Sequence, residues 1–263
     1  MFGKILVGTD GTETAKLAVA HAVALAGALG AELIVATAHG APGRGPSIHP
    51  RSGDDAGPAM AKALLRDAAL AHGSAVRLRT VAVQGPAAKA LVELAAGEEV
   101  DLVVVGNRGM GRAAWAPLSG VPDRVSHRAP VSVLIVDTMG RRPPGYERIL
   151  AATDGSPRSL RVVEAALALA EATGAEAAAA TAAGDQAAGG AALQPVLARW
   201  PNLATVVAVG PPAAALLNLA ESGRYDLLVV GNRGMAGPRR LLGSVPDRIA
   251  HEARTSVLIV ATA

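Results

Sequence analysis

The amino-acid sequence predicts an α/β fold made of two tandem domains, each a doubly wound, five-stranded parallel sheet with helices on both faces. Three observations support this prediction. The chain has 263 residues, enough for two domains of about 130 residues each. Its second half repeats sequence blocks of its first half in the same order. Short apolar runs also alternate with longer segments of helical period, which is typical of parallel strands joined by helices.

Four sequence blocks occur once in each half of the chain. The longest, Asp101–Met110, returns as Asp226–Met235 with a single change from Val to Leu. The other pairs are Ile5–Gly11 with Ile149–Gly155, Val121–Arg124 with Val245–Arg248, and Ser132–Val136 with Ser256–Val260. Because their order is kept, a whole domain is duplicated. We therefore predict a first domain over residues 1–139, a Pro/Gly-rich linker over 140–147 and a second domain over 148–263.

The two halves differ in length at one place. The offset between matching residues falls from 144 at Asp10 to 124 at Ser132, so the first half holds 20 extra residues. Most of them fit the Gly-, Pro- and Arg-containing run 40–58, which we interpret as a solvated loop; the alternative is a lid over the first site. In the second half a shorter Gly/Ala stretch near 184–190 takes its place.

Strands and helices alternate along each half. In the first half we predict strands over 4–9, 32–38, 76–83, 101–105 and 131–137, and helices over 12–29, 58–72, 87–98 and 120–128. In the second half we predict strands over 148–153, 176–182, 204–209, 226–230 and 256–261. Leu102–Val105 is apolar at successive residues, as expected for a strand buried on both faces. Ala177–Ala180 has helix propensity, and we predict a strand there only because its counterpart Leu33–Ala36 is one.

Composition narrows the classes of function. Aromatic residues make up only 2% of the chain, which disfavours a single-strand nucleic-acid binder that stacks bases on rings. The net charge of +3 comes without a polybasic block, so no nucleic-acid partner is predicted. The absence of Cys excludes disulfides, Cys metal sites and thiol catalysis. We find neither a signal-peptide core nor a plausible membrane anchor, and therefore expect a soluble cytoplasmic protein without a membrane partner.

Two loops carry polar residues and glycines directly after predicted strands. Thr9–Gly11 follows the first strand, and Gly106–Gly109 follows the fourth. If these strands are neighbours, both loops face one crevice at the carboxyl ends of the strands, where doubly wound sheets bind ligands. The second loop leads to a helix start at Ser119–Gly120, and at Gly243–Ser244 in the second half. Glycines and unbonded N–H groups at a helix start favour a phosphate there.

These loops resemble those of the universal stress protein family in a tandem two-domain form, and the resemblance covers nearly the whole chain. The ATP-binding members carry Gly-x2-Gly-x9-Gly-Ser/Thr after strand 4 and an Asp after strand 1. The resemblance implies the strand order 3-2-1-4-5 and pairing of the two domains through strand 5. Both halves depart from the glycine pattern: Ser119–Gly120 reverses the Gly-Ser pair, and only eight residues, Met235–Leu242, precede Gly243.

The resemblance implies equivalent nucleotide contacts in the two halves. The Thr-Asp pair and the Ala that ends strand 2 would hold the base and ribose, the glycine loop would approach ribose and phosphates, and the helix start would hold phosphate. The residues are Thr9, Asp10, Ala38, Gly106, Arg108, Gly109, Ser119, Gly120 and Val121, and in the second half Thr153, Asp154, Ala182, Gly231, Arg233, Gly234, Gly243, Ser244 and Val245. The implied cofactor is ATP, with any Mg²⁺ held by its phosphates, or else AMP, ADP or a cyclic nucleotide. Because the second half keeps Ser at its helix start, we favour it as the phosphate site.

Structural roles compete with these functional ones. The glycines are simple turn residues in one alternative, and Asp10 and Asp154 are helix N-caps in another. His127 and His251 occupy matched positions near the C-terminal ends of helices. A positive charge there interacts favourably with the helix dipole, so these residues do not imply a functional role. The sequence contains no metal-ligand spacing, phosphate-loop lysine motif or nucleophile elbow, so it predicts neither a metal site nor a dedicated enzyme.

The sequence thus predicts a stress-response protein that binds ATP or another adenine nucleotide and acts as a nucleotide-responsive regulator. The altered glycine patterns motivate one alternative, a nucleotide-free stress protein that acts through protein contacts. Another alternative is a weak ATPase or an ATP-dependent ligase of the wider α/β superfamily. The two domains would form a pseudo-dimer within one chain, and the sequence leaves open whether two chains form a further homodimer.

Overall fold

The computed structural model describes residues 2–40, 58–73, 75–107, 120–140, 142–232 and 245–262. The chain divides into two compact units, which adjoin in sequence at Gly145 and Tyr146. The linker bounds at 140–147 and the pairing of the units through strand 5 stay predictions. Within the described ranges, no helix combines the length and the apolar character needed to cross a membrane.

The first unit contains a parallel five-stranded sheet. Its strands are β1 (Lys4–Gly8), β2 (Glu32–His39), β3 (Arg77–Gln84), β4 (Leu102–Gly106) and β5 (Ser132–Val136). Its helices in the described ranges are α1 (Glu13–Leu29), α2 (Pro58–His72), α3 (Ala87–Gly97) and α4 (Val121–Arg128). The strand order is β3-β2-β1-β4-β5, so β1 lies between β2 and β4.

The second unit repeats this arrangement. Its strands are β6 (Arg148–Ala152), β7 (Glu176–Ala183), β8 (Ala204–Val209), β9 (Leu227–Gly231) and β10 (Ser256–Val260). Its helices in the described ranges are α5 (Pro157–Thr173), α6 (Gln186–Arg199), α7 (Pro212–Ser222) and α8 (Val245–Glu252). The strand order within this unit is β8-β7-β6-β9-β10, which matches that of the first unit. The predicted α/β class with two parallel-sheet domains is confirmed.

Burial along the central strands shows that helices cover both faces of each sheet. Ile5, Leu6 and Val7 are consecutive in β1 and are all fully buried. Successive side chains of a strand point to opposite faces, so a buried run of this kind requires cover on both sides. In β9, the run Leu227–Val230 is buried in the same way. The continuous apolar runs in the sequence predicted this two-sided burial.

The first helix of each unit starts and ends at residues suited to those positions. Thr12 and Ser156 are the N-caps of α1 and α5, and each hydroxyl accepts a hydrogen bond from a backbone N–H three residues later. Gly30 and Gly174 end these helices in the left-handed region, with φ of 64° and 75°. Each N-cap therefore lies two residues after the Asp that follows the first strand of its unit, and the start of the helix is fixed close to the predicted crevice.

The alanine-rich strand β7 was the least secure strand of the sequence prediction, and it is confirmed. Ala178, Ala179 and Ala180 are buried, and β7 is paired in parallel with β6 on one side and β8 on the other. Pairing on both sides outweighs the intrinsic preference of Ala for helices. Only comparison with the Leu- and Val-containing β2 made this strand predictable.

The Gly/Ala stretch near 184–190, which takes the place of the loop predicted in the first half, contains the start of helix α6. Asp185 is the N-cap, and its carboxylate accepts from the N of Ala188 at 2.8 Å. A Cβ at Gly189 would lie 2.2 Å from Cγ1 of Val207 in β8, so Gly lets the helix pack closely on the sheet.

Candidate functional site

The loop after β1 is a turn that fixes the side chain of Asp10. Oδ1 of Asp10 accepts from the backbone N and the Oγ1 of Thr12, at 3.1 and 2.6 Å. The N of Gly11 donates to Oγ1 of Thr9 at 3.2 Å. The hydroxyl of Thr12 also accepts from the N of Ala15 and thereby caps α1. One Thr thus connects the Asp side chain to the start of the helix.

The loop after β6 repeats this pattern with Ser in place of Thr. Oδ1 of Asp154 accepts from the N and the Oγ of Ser156, at 3.0 and 2.5 Å. Ser156 caps α5 by accepting from the N of Ser159 at 3.3 Å. The alternative that Asp10 and Asp154 are the helix N-caps is therefore wrong, because the hydroxyl residue two positions later holds that place. In this unit Oγ1 of Thr153 also lies 2.8 Å from Oγ of Ser159, a contact for which the first unit has no hydroxyl.

The sheet brings the loop after strand 1 beside the loop after strand 4 in each unit. β1 pairs with β4 in parallel, with Val7 opposite Val104, so Asp10 and Asn107 follow neighbouring strand ends. The N of Thr9 donates to the carbonyl of Ala36 in β2 at 2.9 Å, which extends the pairing into the loop.

The end of strand 2 lies at the same edge of each sheet. Ala38 and Ala182 are half-buried near the carboxyl ends of β2 and β7. In the second unit, the N of Thr153 donates to the carbonyl of Ala180 at 2.8 Å, as Thr9 does to Ala36 in the first. The predicted strand-1 and strand-2 residues of each unit therefore share one edge with the start of its glycine loop.

An Asn that the site prediction did not include holds the start of each glycine loop. Oδ1 of Asn107 accepts from the backbone N and the Oγ1 of Thr138, at 3.2 and 2.8 Å. Its own N donates to the carbonyl of Val136 at 2.8 Å. Asn232 and Thr262 make the same contacts in the second unit, at 3.1 and 2.9 Å. These contacts tie the loop after strand 4 to the residues after strand 5, and we call them the Asn–Thr clamp.

The Asn–Thr clamp had a visible but incomplete signal in the sequence. Asn107 and Asn232 occur at the same place in the repeated Gly-Asn-Arg-Gly block. Thr138 and Thr262 both follow strand 5, two residues after its last residue, but their surroundings differ. The clamp joins residues about 30 positions apart, so neither motif alone predicted the contact.

The helix after the glycine loop begins without a side-chain cap in the first unit. Gly120 is the N-cap of α4, with φ of 84° and ψ of −128°, and among the described residues no side chain caps the helix there. Pro122 lies in the first turn, as predicted, where its missing N–H breaks no helix hydrogen bond. Val121 and its counterpart Val245 are the first residues of α4 and α8 and are half-buried. The start of α4 therefore offers backbone N–H groups and the positive end of the helix dipole.

Several predicted contacts cannot be placed against this geometry because they lie outside the described residues. They are Arg108, Gly109, Ser119, Arg233, Gly234, Gly243 and Ser244. Gly106 and Gly231 are described, and they are the last residues of β4 and β9. The phosphate-binding part of each predicted site thus stays a prediction, together with the choice of the second unit as the better phosphate site.

The matched histidines have a structural environment within their own helices. Nδ1 of His127 lies 2.9 Å from the carbonyl of Asp123 and 3.4 Å from its Oδ1. Nδ1 of His251 lies 2.8 Å from the carbonyl of Asp247. Each ring thus contacts the residue one turn earlier in α4 or α8, in agreement with a role in the helix.

Comparison with known proteins connects this geometry with one family. A family model described as the universal stress protein family matches residues 1–137, 145–196 and 176–261. Universal stress protein Rv1636 of Mycobacterium tuberculosis is 38% identical over 140 residues, which are 51% of this chain and 95% of that protein. A universal stress protein of Thermus aquaticus is 33% identical over 145 residues, or 52% of this chain and 99% of its own. Each relative thus corresponds in length to about one half of this chain.

Solved structures that match nearly the whole chain show the same fold. A universal stress protein from Archaeoglobus fulgidus has a TM-score of 0.73 at 20% identity, over 98% of this chain and 96% of its own. A functionally unknown protein from Pseudomonas aeruginosa has a TM-score of 0.76 at 18% identity, over 99% of this chain and 92% of its own. At these identities the likeness concerns the fold alone. Because the family model matches most of both halves, this chain belongs to the universal stress protein family.

Proposed function

We propose that the chain binds an adenine nucleotide at the carboxyl edge of each sheet and acts as a nucleotide-responsive regulator in a stress response, without being a dedicated enzyme. The observation that carries this proposal is the meeting of two polar loops at neighbouring strand ends, repeated in both units. Doubly wound folds bind nucleotides at the carboxyl ends of two neighbouring strands, at the point where the strand order reverses.

The Asp10 side chain is oriented for a ligand hydroxyl. Its Oδ1 is occupied by Thr12, and among the described residues no donor reaches its Oδ2. A carboxylate only accepts hydrogen bonds, and a ribose offers two adjacent hydroxyl donors. Ala38, at the same edge, has only a methyl side chain, and we propose that the base lies against it. These features support a nucleoside at this position.

The start of α4 supports an anionic group at the other end of the same ligand. Gly120, the N-cap, carries no side chain and therefore caps none of the helix N–H groups. A helix start of this kind favours phosphate through its N–H groups and its dipole. We propose ATP as the ligand, with Mg²⁺ carried by its phosphates, and AMP, ADP or a cyclic nucleotide as smaller ligands of the same chemical class.

Isothermal titration of the full chain with ATP and Mg²⁺ tests this proposal. We expect the double variant Asp10→Ala and Asp154→Ala to lose about tenfold or more in affinity, because a charged acceptor for the ribose hydroxyls is removed from each unit. Asp67→Ala, at an exposed carboxylate of α2, is the matched control and should bind as the parent does. Absence of binding heat at millimolar ATP would exclude the proposal and favour a nucleotide-free protein.

A phosphate-release assay separates regulation from catalysis. As a regulator, the parent protein should release phosphate or pyrophosphate from ATP no faster than the double Asp variant. Release well above that variant would instead support a weak ATPase or a ligase. Mass spectrometry of small molecules released from purified protein would identify the nucleotide that it carries.

A further inference from the structure

We infer that Ser159 is a specificity-determining residue of the second site, because it binds the hydroxyl proton of Thr153 that would otherwise be available to a ligand. In the first unit the matching hydroxyl, that of Thr9, keeps its proton for the crevice. A base atom that needs a hydrogen-bond donor at the end of the first strand is therefore held by the first unit and not by the second. This inference rests on the proposed adenine-nucleotide function and concerns the base of the ligand.

In the second unit, a chain of hydrogen bonds fixes the direction of the Thr153 hydroxyl. Oγ of Ser159 donates its one proton to the carbonyl oxygen of Ser156 at 3.0 Å. The 2.8 Å contact between the hydroxyl oxygens of Thr153 and Ser159 then requires Thr153 as its donor. Oγ1 of Thr153 also accepts from the N of Gly155 at 3.1 Å. A Thr hydroxyl donates once and accepts twice, so Thr153 has no proton left for a ligand.

In the first unit, the Thr9 hydroxyl makes a single contact within the described ranges. Its oxygen accepts from the N of Gly11 at 3.2 Å, and none of the described residues accepts its proton. The residue that matches Ser159 is Ala15, whose buried methyl side chain neither donates nor accepts. Thr9 therefore keeps a proton to donate to a ligand at the end of β1.

The backbone of the two turns is the same, so the side chain at this one position causes the difference. The N-cap residues have φ and ψ of −68° and 159° at Thr12 and of −69° and 152° at Ser156. Thr153 is nevertheless only 8% exposed, whereas Thr9 is half-buried. The hydroxyl of Ser159 can therefore be removed from one unit and introduced into the other without a change of backbone.

An unprotonated ring nitrogen of the base is the ligand atom that uses such a donor. Ring nitrogens such as N3 and N7 of adenine accept hydrogen bonds and cannot donate them. The proposed contact with Asp10 uses the ribose hydroxyls as donors, which leaves the base to accept from Thr9. One hydrogen bond of this kind changes affinity by about threefold to tenfold.

Titration calorimetry of ATP binding to full-length variants tests this inference. Asp10→Ala leaves the second site to be measured, and Asp154→Ala leaves the first. In the Asp10→Ala protein, Ser159→Ala should strengthen ATP binding by about threefold to tenfold, because the proton of Thr153 becomes available. In the Asp154→Ala protein, Ala15→Ser should weaken binding by a similar factor. A role of Ser159 limited to the stability of the turn would give no gain of affinity.

Analogues of ATP that lack one ring nitrogen give a second readout. In these deaza analogues, a CH group replaces N1, N3 or N7 of the base. At the first site, one of them should lose the factor that the Thr9 hydrogen bond contributes, and Ala15→Ser should abolish that loss. At the second site, Ser159→Ala should create the same loss for the same analogue.

A matched control and two separate failures complete the design. Thr173→Ala removes a hydroxyl from the last turn of α5, where Oγ1 of Thr173 donates to the carbonyl of Leu169 at 2.7 Å, and it should leave ATP affinity unchanged. Unchanged affinity in Ser159→Ala would overturn this inference and leave the proposed function intact, even if Ala15→Ser fails to fold. Failure of the parent protein to bind ATP would overturn the proposed function and this inference together.

Discussion

The two units have the same strand order and the same turn after strand 1, but the glycine in that turn meets different neighbours. Gly11 and Gly155 both have positive φ, at 79° and 75°. A Cβ at Gly11 would lie 2.3 Å from Cδ2 of Leu64, the end of a flexible side chain in α2. A Cβ at Gly155 would lie 2.1 Å from the carbonyl oxygen of Ala192, part of the backbone of α6. A duplicated sequence motif thus keeps its local geometry while its tolerance to change depends on the packing around it.

The sharpest test of this difference is the same substitution at both glycines. We expect Gly155→Ala to lower the free energy of unfolding by about 3 kcal/mol, because the positive φ is strained and a helix backbone cannot move aside locally. Gly11→Ala should cost about 1 to 2 kcal/mol, since Leu64 can change rotamer. Urea unfolding followed by circular dichroism measures both values.

Gly190→Ala is the control for this pair of substitutions. Gly190 lies within α6, and no atom would come within 4 Å of its Cβ. Ala at a helix position of this kind should stabilise the protein by about 0.5 to 1 kcal/mol. Equal costs at Gly11 and Gly155 would show that backbone strain alone, and not the neighbouring helix, decides the effect.

A second comparison uses the Asn–Thr clamp. Asn232→Asp keeps the oxygen that accepts from Thr262, and the second unit has the neutral Ala261 at the position of Asp137, so its cost should be below about 0.5 kcal/mol. Asn107→Asp places a second carboxylate next to Asp137, whose Oδ1 lies 3.1 Å from the Asn107 amide nitrogen, and should cost about 2 kcal/mol at pH 7.

The pH dependence identifies the cause of that cost. Protonation of one carboxylate relieves the repulsion, so the deficit of Asn107→Asp should shrink as the pH falls from 7 toward 4, relative to the parent protein. Thermal melting across this range gives the measurement, with Asn232→Asp as the matched control. If the deficit is the same at both ends of the range, like-charge repulsion is not its source.

The sequence predicted the architecture because the architecture depends on patterns that the chain displays locally. Apolar runs such as Leu102–Val105 can bury all their side chains only in a sheet covered on both sides. Because these runs recur in the second half, they predicted the second domain as well. Even the alanines of β7 were assigned correctly, since the equivalent strand of the first half is unambiguous. No helix was predicted at α6, where Gly189 resembles a loop residue until Val207 is placed beside it.

The candidate site was only partly predictable, for a different physical reason. Thr9, Asp10 and their counterparts follow a strand directly, so their position at the sheet edge follows from the strand itself. The Asn–Thr clamp and the contact of Arg161 with Thr262 join residues far apart in sequence. Such contacts depend on which strands become neighbours and on how a helix lies over them. A local sequence pattern predicts neither of these.

A third comparison sets Tyr146 against Phe2, the residue at the matching position of the first unit. Both are 5% exposed. Burial raises the pKa of the Tyr146 hydroxyl well above its usual range, and the nearby Ser256 side chain opposes this only in part. In the unfolded chain the tyrosine ionises near pH 10. Stability that depends on the neutral phenol is therefore complete below about pH 10 and is lost as the pH rises above that value.

Exchange of these two aromatic residues tests that dependence. Tyr146→Phe should reduce the drop in melting temperature between pH 8 and pH 11, because one buried ionisable group is removed. Phe2→Tyr should enlarge the drop by placing such a group in the first unit. Melting by circular dichroism at the two pH values gives both results. An unchanged drop in Tyr146→Phe would mean that the phenol ionises without loss of the folded state.

The smallest expected effect concerns β3 and β8, the third strand of each unit, which lies at one end of the strand order. In β3, Arg79 is partly exposed and pairs with Glu98 at 2.7 Å and with Glu32 at 3.6 Å. Its counterpart in β8 is Ala204, and the second unit has Gly223 where the first has Glu98. Partly exposed ion pairs contribute little, so Arg79→Ala should cost about 0.5 kcal/mol.

Salt and the reverse substitution separate the ion pair from other effects of Arg79. The cost of Arg79→Ala should fall toward zero at about 1 M NaCl, where exposed charges are screened. Ala204→Arg should add less than about 0.3 kcal/mol, because the second unit lacks the glutamate that makes the shorter contact in the first. Urea unfolding at low and high salt measures these differences. A cost that persists at high salt would show that packing of the Arg79 aliphatic chain against its neighbours, and not its charge, stabilises this edge.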